Sequence, residues 1–191
     1  SMSQPRPPKP AKLVIGFILK EKRLGIHVVK TLVDKYGAVD MASSWLPFNF
    51  TTYYNEEMGC PLNRRLLAFK QLIHQVSLAD IKLFTNDLEL ELSIKGKRVV
   101  NIDPGYLLYE RFVLAAGKNS SHRIHIGKGI YADLTLMYTR GGFEPLPWTY
   151  PDYASENIMT FLKQVRKKYV IDLRKAKASS EYFSETERFK W

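Results

Sequence analysis

Only one of the 191 residues is cysteine, Cys60, so the chain cannot close an internal disulfide or supply a cysteine-rich zinc site. No apolar run approaches the roughly 20 residues that a membrane-spanning helix needs. The longest is LVIGFIL, Leu13 to Leu19. The N-terminal residues lack the charged, apolar and small-residue order of a signal peptide. The expectation is a cytoplasmic protein in a reducing compartment with no membrane segment. The phosphate-cradling pattern G-x-x-x-x-G-K-[ST] is also missing, which removes the commonest nucleotide-binding loop.

What is abundant is positive charge, a net +10, but it is unevenly spread. Residues 1–12 hold Arg6, Lys9 and Lys12 with no acid, and residues 163–191 hold nine Lys/Arg against four Asp/Glu. Residues 13–162 hold 17 basic and 15 acidic side chains, close to neutrality. A nucleic-acid-binding fold is expected to carry its excess charge on the folded body, so this distribution argues against one. The 45% hydrophobic and 13% aromatic content suits one packed domain.

The proline-rich opening, residues 1–11, predicts a disordered arm. Residues 12–172 read as a single α+β domain, and 173–191 as a basic, polar tail. Leu13–Leu19 is apolar at every position, as a strand buried on both sides would be. Leu24, Val28, Leu32 and Tyr36 mark a helix stripe stopped by Gly37. Strand character returns over 39–46, followed by a long aromatic connection, 46–61, with room for one helical turn. Arg64–Ile73 reads as a strand. Ser77 with Asp80 predicts a capped helix carrying Ile81, Phe84, Leu88 and Leu92. Within it LELELSI alternates as a strand would, but leucine and glutamate favour helix. RVVNI predicts a strand ending at an Asp103-Pro104-Gly105 turn, and 106–116 a short helix running into a strand. Asp152 is placed to cap a last helix with Ile158, Phe161, Leu162, Val165 and Tyr169 inward. The order of elements predicts a ferredoxin-like (split βαβ) sheet, extended by a C-terminal β-hairpin, with helices packed mainly on one face.

The hairpin is SSHRIHIGKGIYADLTLMY, Ser120–Tyr138. A three-residue loop Gly127-Lys128-Gly129 pairs Ile126 with Ile130 and Ile124 with Ala132, and sets Ile124, Ile126, Ile130, Ala132, Leu134 and Leu136 on one apolar face. His122 then falls on that apolar side as a core histidine, and His122 and His125 point apart, so no metal site is expected. The opposite face carries Arg123 against Asp133 and His125 against Tyr131. Two readings of it stand: a cross-strand ion pair worth a few tenths of a kcal/mol, or a ligand site walled over by the Tyr- and Trp-rich segments 51–57 and 148–153.

The blocks LPFNFTTYYNEEMG, NIDPGY, SHRIHIGKGIYADLTL and PLPWTYPDY, in this order, resemble a prokaryotic family known as domain of unknown function 4416, over about Lys12 to Tyr169. The resemblance implies motif residues at Tyr53, Tyr54, Glu57, Asp103, Tyr106, His122, Arg123, Tyr131, Asp133, Trp148, Tyr150 and Asp152, with an acid usual at the position of Asp133. Some members carry the label GTP-binding protein. Neither the phosphate loop nor the guanine-reading Asn-Lys-x-Asp occurs here.

Three functional readings compete. In the first, Arg123 grips a small phosphate- or carboxylate-bearing ligand by a forked contact. His122 or His125 then moves protons, oriented by Asp103 and Asp133, with Tyr54, Glu57, Tyr106, Tyr131, Trp148, Tyr150 and Asp152 as ligand contacts. The second is an RNA-associated protein using its basic ends. The third is a partner-binding module without catalysis. The sequence names no cofactor and leaves oligomeric state open.

Overall fold

The structure is a computed structural model that describes residues 1–179; the expected tail beyond Ser179 lies outside them. Nine strands form one open antiparallel sheet. In chain order the elements are β1 (Ala11–Leu19), α1 (Lys22–Tyr36), β2 (Val39–Ala42), β3 (Leu46–Phe48), α2 (Asn55–Met58), β4 (Leu62–Ile73), a 3-10 turn (Gln75–Ser77) and α3 (Leu78–Leu92). They continue with β5 (Val100–Leu107), β6 (Arg111–Ala116), β7 (Arg123–His125), β8 (Tyr131–Thr139), β9 (Gly142–Pro145) and α4 (Glu156–Ser179). The strand order is β2-β4-β1-β5-β6-β8-β7, with β3 beside β4 and β9 beside β8.

β1 is buried along its whole length, as its unbroken apolar run requires. Leu13, Ile15, Phe17 and Leu19 pack with Val28 and Leu32 of α1 and Ile81 and Leu88 of α3. Val14 points the other way, with Leu66 and Ala68 of β4, into a core closed by Ile158, Leu162, Val165 and Tyr169 of α4. The helices therefore occupy both faces of the sheet. The expectation of helices mainly on one face fails because α4 covers the apolar residues of β4, β6 and β8 that α1 and α3 cannot reach.

Four local expectations also change. Asp103-Pro104-Gly105 is not a turn: β5 runs through it, pairing Gly16↔Asp103, Ile15↔Pro104 and Val14↔Gly105. A proline is tolerated there because of the direction its nitrogen faces. The Ile102 N–H leaves the sheet to meet Glu89 Oε2 at 3.2 Å. Pro104, two residues on, faces the same way, and β6 pairs with β5 only from Gly105 onward. Gly105 itself cannot be larger, since a Cβ would stand 2.4 Å from the Val113 carbonyl oxygen. The helix expected within 106–116 is instead the β5–β6 hairpin, closed by Leu108 N–H to Arg111 O. Ser77 makes no side-chain cap, because the 3-10 turn precedes α3. Asp152 does not cap α4 either. Its carboxylate is taken by Arg64, and the Ser155 hydroxyl accepts the Ile158 N–H instead.

The helical reading of LELELSI holds, with α3 running to Leu92. The aromatic connection 46–61 contains β3 and the single turn α2. Past Asp172, α4 continues to Ser179 and buries Leu173. At the other end, the Tyr169 hydroxyl donates to Pro10 O at 2.7 Å, fixing the junction of residues 1–10 with β1.

Candidate functional site

The hairpin register is the expected one: Arg123↔Asp133, Ile124↔Ala132, His125↔Tyr131. Ile126 and Ile130 close it through Ile126 N–H to Ile130 O. Gly127, Lys128 and Gly129 all have positive φ, which lets three residues reverse the chain. The faces differ from expectation. β7 is the last strand of the sheet, so Ile124, nominally apolar-side, is 68% exposed, while Asp133 on the polar side is 4% exposed.

The polar side is covered by the segment joining β9 to α4, residues 146–155, which works as a strap. Trp148 Nε1–H donates to Leu134 O (2.7 Å), and the Thr149 hydroxyl donates to Thr135 O (2.6 Å). Beneath the strap, Asp133 Oδ2 accepts from Arg123 Nε at 2.9 Å, and the Thr135 hydroxyl lies 3.2 Å from Asp133 Oδ1. The other two Arg123 nitrogens meet Lys118 O and the Tyr150 hydroxyl, both at 2.9 Å. Burial disfavours the Arg123 charge, but the hydrogen bond to Asp133 and the nearby Tyr150 oxygen outweigh it and raise its pKa.

His122 is not on the apolar side. β7 begins at Arg123, so strand alternation does not reach it, and its ring stacks on Trp148 (5.0 Å, 17°). His122 Nε2 lies 3.1 Å from Asp133 Oδ2, and Nδ1 is 3.4 Å from the Ser120 hydroxyl. With the Nε2 proton directed at the carboxylate, Nδ1 is the lone-pair nitrogen. That is the arrangement of a proton acceptor oriented by an acid. His125 instead accepts the Gly129 N–H within its own turn and tilts against Tyr131. Neither His125 nor Tyr131 joins the Asp133 cluster.

A second charged cluster occupies the same sheet face at β4 and β5. Arg64, 3% exposed, donates from Nη1 to Asp103 Oδ2 (2.7 Å) and from Nη2 and Nε to Asp152 Oδ2 (2.7 and 3.1 Å). Gly16 leaves the space for it: a Cβ there would lie 3.0 Å from the Tyr153 hydroxyl and 3.1 Å from Arg64 Nη1. Burial works against ionising Asp103, yet the Arg64 guanidinium holds its carboxyl below the usual range. Asn101 donates to Asp103 Oδ1 at 3.1 Å and accepts from Arg98 Nη1 at 3.0 Å. Arg98 also forks onto both oxygens of Glu57, and this hydrogen bonding lowers the Glu57 pKa. Tyr54 lies under Arg98, within the field of Asp103, Arg64, Arg98 and Tyr150, and burial raises its pKa.

The strap joins the two clusters: Trp148, Thr149 and Tyr150 serve the hairpin end, and Asp152 and Tyr153 the Arg64 end. Tyr106, by contrast, turns to the opposite face with Leu78, Val113 and Ile130. Arg64, Arg98, Asn101, Tyr153 and Gly16 were missed by sequence reasoning. One signal was available. In Leu62-x-Arg64-x-Leu66-x-Ala68, Arg64 alternates with buried apolar residues, and an inward-facing arginine requires partners. Among the described residues no group of three or more His, Cys, Asp or Glu is placed to hold a metal ion, and no helix is long and apolar enough to cross a membrane.

The molecule is thus an α+β protein with an open antiparallel sheet, one face of which carries two charged clusters under a single strap. Residues 9–169 match the family described as Domain of unknown function (DUF4416), and the chain belongs to that family. No curated protein and no solved structure matches it.

Proposed function

We propose that the protein binds a small phosphate- or carboxylate-bearing ligand beside the 121–138 hairpin, with Arg123 as the anion contact. The observation that carries this reading is the state of the Arg123–Asp133 pair. An ion pair that merely tied the edge strand β7 to its neighbour β8 would sit in solvent. This one is covered by a strap, and Arg123 is held by three separate acceptors. Three of its five N–H groups are engaged, so one on each terminal nitrogen is left for an anion. His122, oriented by Asp133 and stacked on Trp148, supplies a proton acceptor at the same place.

The reading also takes β1–α1–β2–β4–α3–β5 as a split βαβ unit of the ferredoxin-like kind. Its support is the antiparallel order β2-β4-β1-β5 with α1 and α3 packed on one face. A cytoplasmic site of action is supported by Cys60, an exposed free thiol.

The test is thermal stabilisation by inorganic phosphate, pyrophosphate and dicarboxylates. A ligand at 100 times its dissociation constant adds about 2.7 kcal/mol of stability. Wild type is expected to respond and Arg123→Gln not to. If none of these anions stabilises the wild type, the reading fails.

A further inference from the structure

The charged groups around Asp103 have hydrogen-bonding capacity that the fold leaves unused. Asp103 accepts one bond on each oxygen, from Arg64 and Asn101, where a carboxylate has about four lone-pair sites. Arg98 spends three of its N–H groups, two on Glu57 and one on Asn101, and its Nη1 also lies 3.7 Å from Glu89 Oε2. Asn101 keeps one amide hydrogen. Three of the side chains reach solvent, Asp103, Arg98 and Glu57 at 24%, 31% and 33% exposed, while Asn101 is 6% exposed. Beside them the buried Tyr153 hydroxyl has no hydrogen-bond partner among the described residues. It lies in the field of Arg64, Asp103, Asp152 and Tyr54.

The strap ties this mouth to the anion site. The Tyr150 hydroxyl accepts from Arg123 Nη2, and two residues on Asp152 accepts from Arg64, which also holds Asp103. Two exposed rings, Tyr53 and Tyr150, flank it. The chemistry of the two ends differs. An ionised Asp103 repels an anion, so the anionic group belongs at Arg123. Acceptors interleaved with donors suit hydroxyl groups, each of which donates and accepts at once, and exposed tyrosine faces suit the C–H side of a sugar ring.

We infer that the mouth formed by Tyr54, Arg98, Asn101 and Asp103 binds the hydroxyl-bearing part of the ligand whose anion Arg123 holds. The ligand is then a phosphate monoester carrying vicinal hydroxyls. This rests on the anion-site reading and narrows it to a substrate class. A free pentose phosphate and a ribonucleotide share the required chemistry.

Titration calorimetry with ribose 5-phosphate, inorganic phosphate and adenosine monophosphate tests it. Ribose 5-phosphate is expected to bind at least tenfold more tightly than inorganic phosphate. Tyr54→Phe, which keeps the ring and removes the hydroxyl, is expected to erase part of that advantage while leaving phosphate affinity unchanged. Asp103→Asn is expected to erase most of it. Because Asp103 also pairs with buried Arg64, Tyr54→Phe is the variant that decides if the other fails to fold. Adenosine monophosphate binding as well as ribose 5-phosphate assigns a nucleotide, and weaker binding assigns a free sugar phosphate. Phosphate bound, but ribose 5-phosphate no tighter, overturns this inference alone. So does a Tyr54→Phe variant that leaves the sugar advantage intact or weakens both ligands alike. Failure of every ligand to bind wild type overturns the anion site and this inference with it.

Discussion

Arg64 is the residue on which the strap face depends most. A guanidinium 3% exposed is stable only with its donors satisfied, and it takes two carboxylates from different parts of the chain, Asp103 of β5 and Asp152 of the strap. Replacing Arg64 by Met would strip Asp103 of its charged partner and leave Asp152, 5% exposed, without a cation in a desolvated place. The expected cost is about 3–5 kcal/mol, the range for breaking a buried pair from one side. Gly16 serves the same cluster through space alone. An added methyl would meet Leu66 Cδ2 at 2.7 Å and crowd Arg64 and the Tyr153 hydroxyl. Gly16→Ala is therefore expected to cost about 1–3 kcal/mol by overpacking. Gly129→Ala, where φ is +74 and nothing lies within 4 Å, should cost about 1 kcal/mol from backbone conformation alone. Chemical denaturation of the three variants measures these differences. If Gly16→Ala proves no worse than Gly129→Ala, the close packing at Gly16 is not what holds the cluster.

At the scale of elements, β5 shows what the sequence disclosed and what it hid. Periodicity identified β1, α1 and α3, because each has an apolar pattern that one element can satisfy. It failed at Asp103-Pro104-Gly105, whose composition is that of a turn. The reason is not local: the neighbouring side of β5 has no strand partner before Gly105, and Glu89 on α3 takes the Ile102 N–H that a strand would otherwise take. Likewise Asp152 and Ser77 have the chemistry of helix caps, but Asp152 is claimed by Arg64, 88 residues away. Short-range rules cannot see such competitors. The hairpin register was legible to the residue because loop length and apolar alternation fix it together. Which of its faces would be covered was not, since the cover comes from residues 146–155.

Glu89 makes the α3–β5 contact sensitive to pH in an unusual direction. Burial raises its pKa from 4.5 to about 7, against the opposing pull of Lys82 and Arg98. A carboxyl raised on folding holds its proton more tightly in the native state. Its contribution is complete below about pH 4.5 and is lost as pH rises through about 7. Asp103, Glu57 and Asp172 act in the opposite sense. Their folded pKa values are lowered, so their contributions are present near neutrality and lost as pH falls through those lowered values. Glu89→Gln keeps an acceptor for the Ile102 N–H and removes the ionisation. Between pH 5 and pH 8 the variant is expected to lose a downward slope in stability that wild type shows, with a span of up to about 3 kcal/mol. Denaturant midpoints across that range measure it. Parallel curves for the two proteins would show that Glu89 does not titrate in this way.

At the scale of the whole molecule, the uneven charge of the sequence acquires a structural basis. The cations that turn inward are each matched by acids: Lys12 by Asp40 and Asp172, Arg64 by Asp103 and Asp152, Arg98 by Glu57, Arg123 by Asp133. Other cations, such as Lys20, Lys70, Lys97 and Arg140, are scattered over the surface, and four exposed ones fall on the later part of α4, at Lys167, Arg174, Lys175 and Lys177. A polyanion such as RNA would be drawn to that stretch. However, the aromatic residues of α4, Phe161 and Tyr169, are turned into the core, so the helix offers no ring on which a base can stack. Binding by phosphate contact alone is sequence-independent, with dissociation constants of about 10⁻⁴–10⁻⁶ M at physiological salt. Four contacts to a single strand imply a slope of about −3 in log K against log salt. Fluorescence anisotropy with a labelled single-stranded RNA is expected to show such weak binding. Changing Lys167, Arg174, Lys175 and Lys177 to Gln is expected to flatten the slope and leave the response to small anions at Arg123 intact. Submicromolar affinity at 150 mM salt that survives the fourfold change would place an RNA surface elsewhere on the protein.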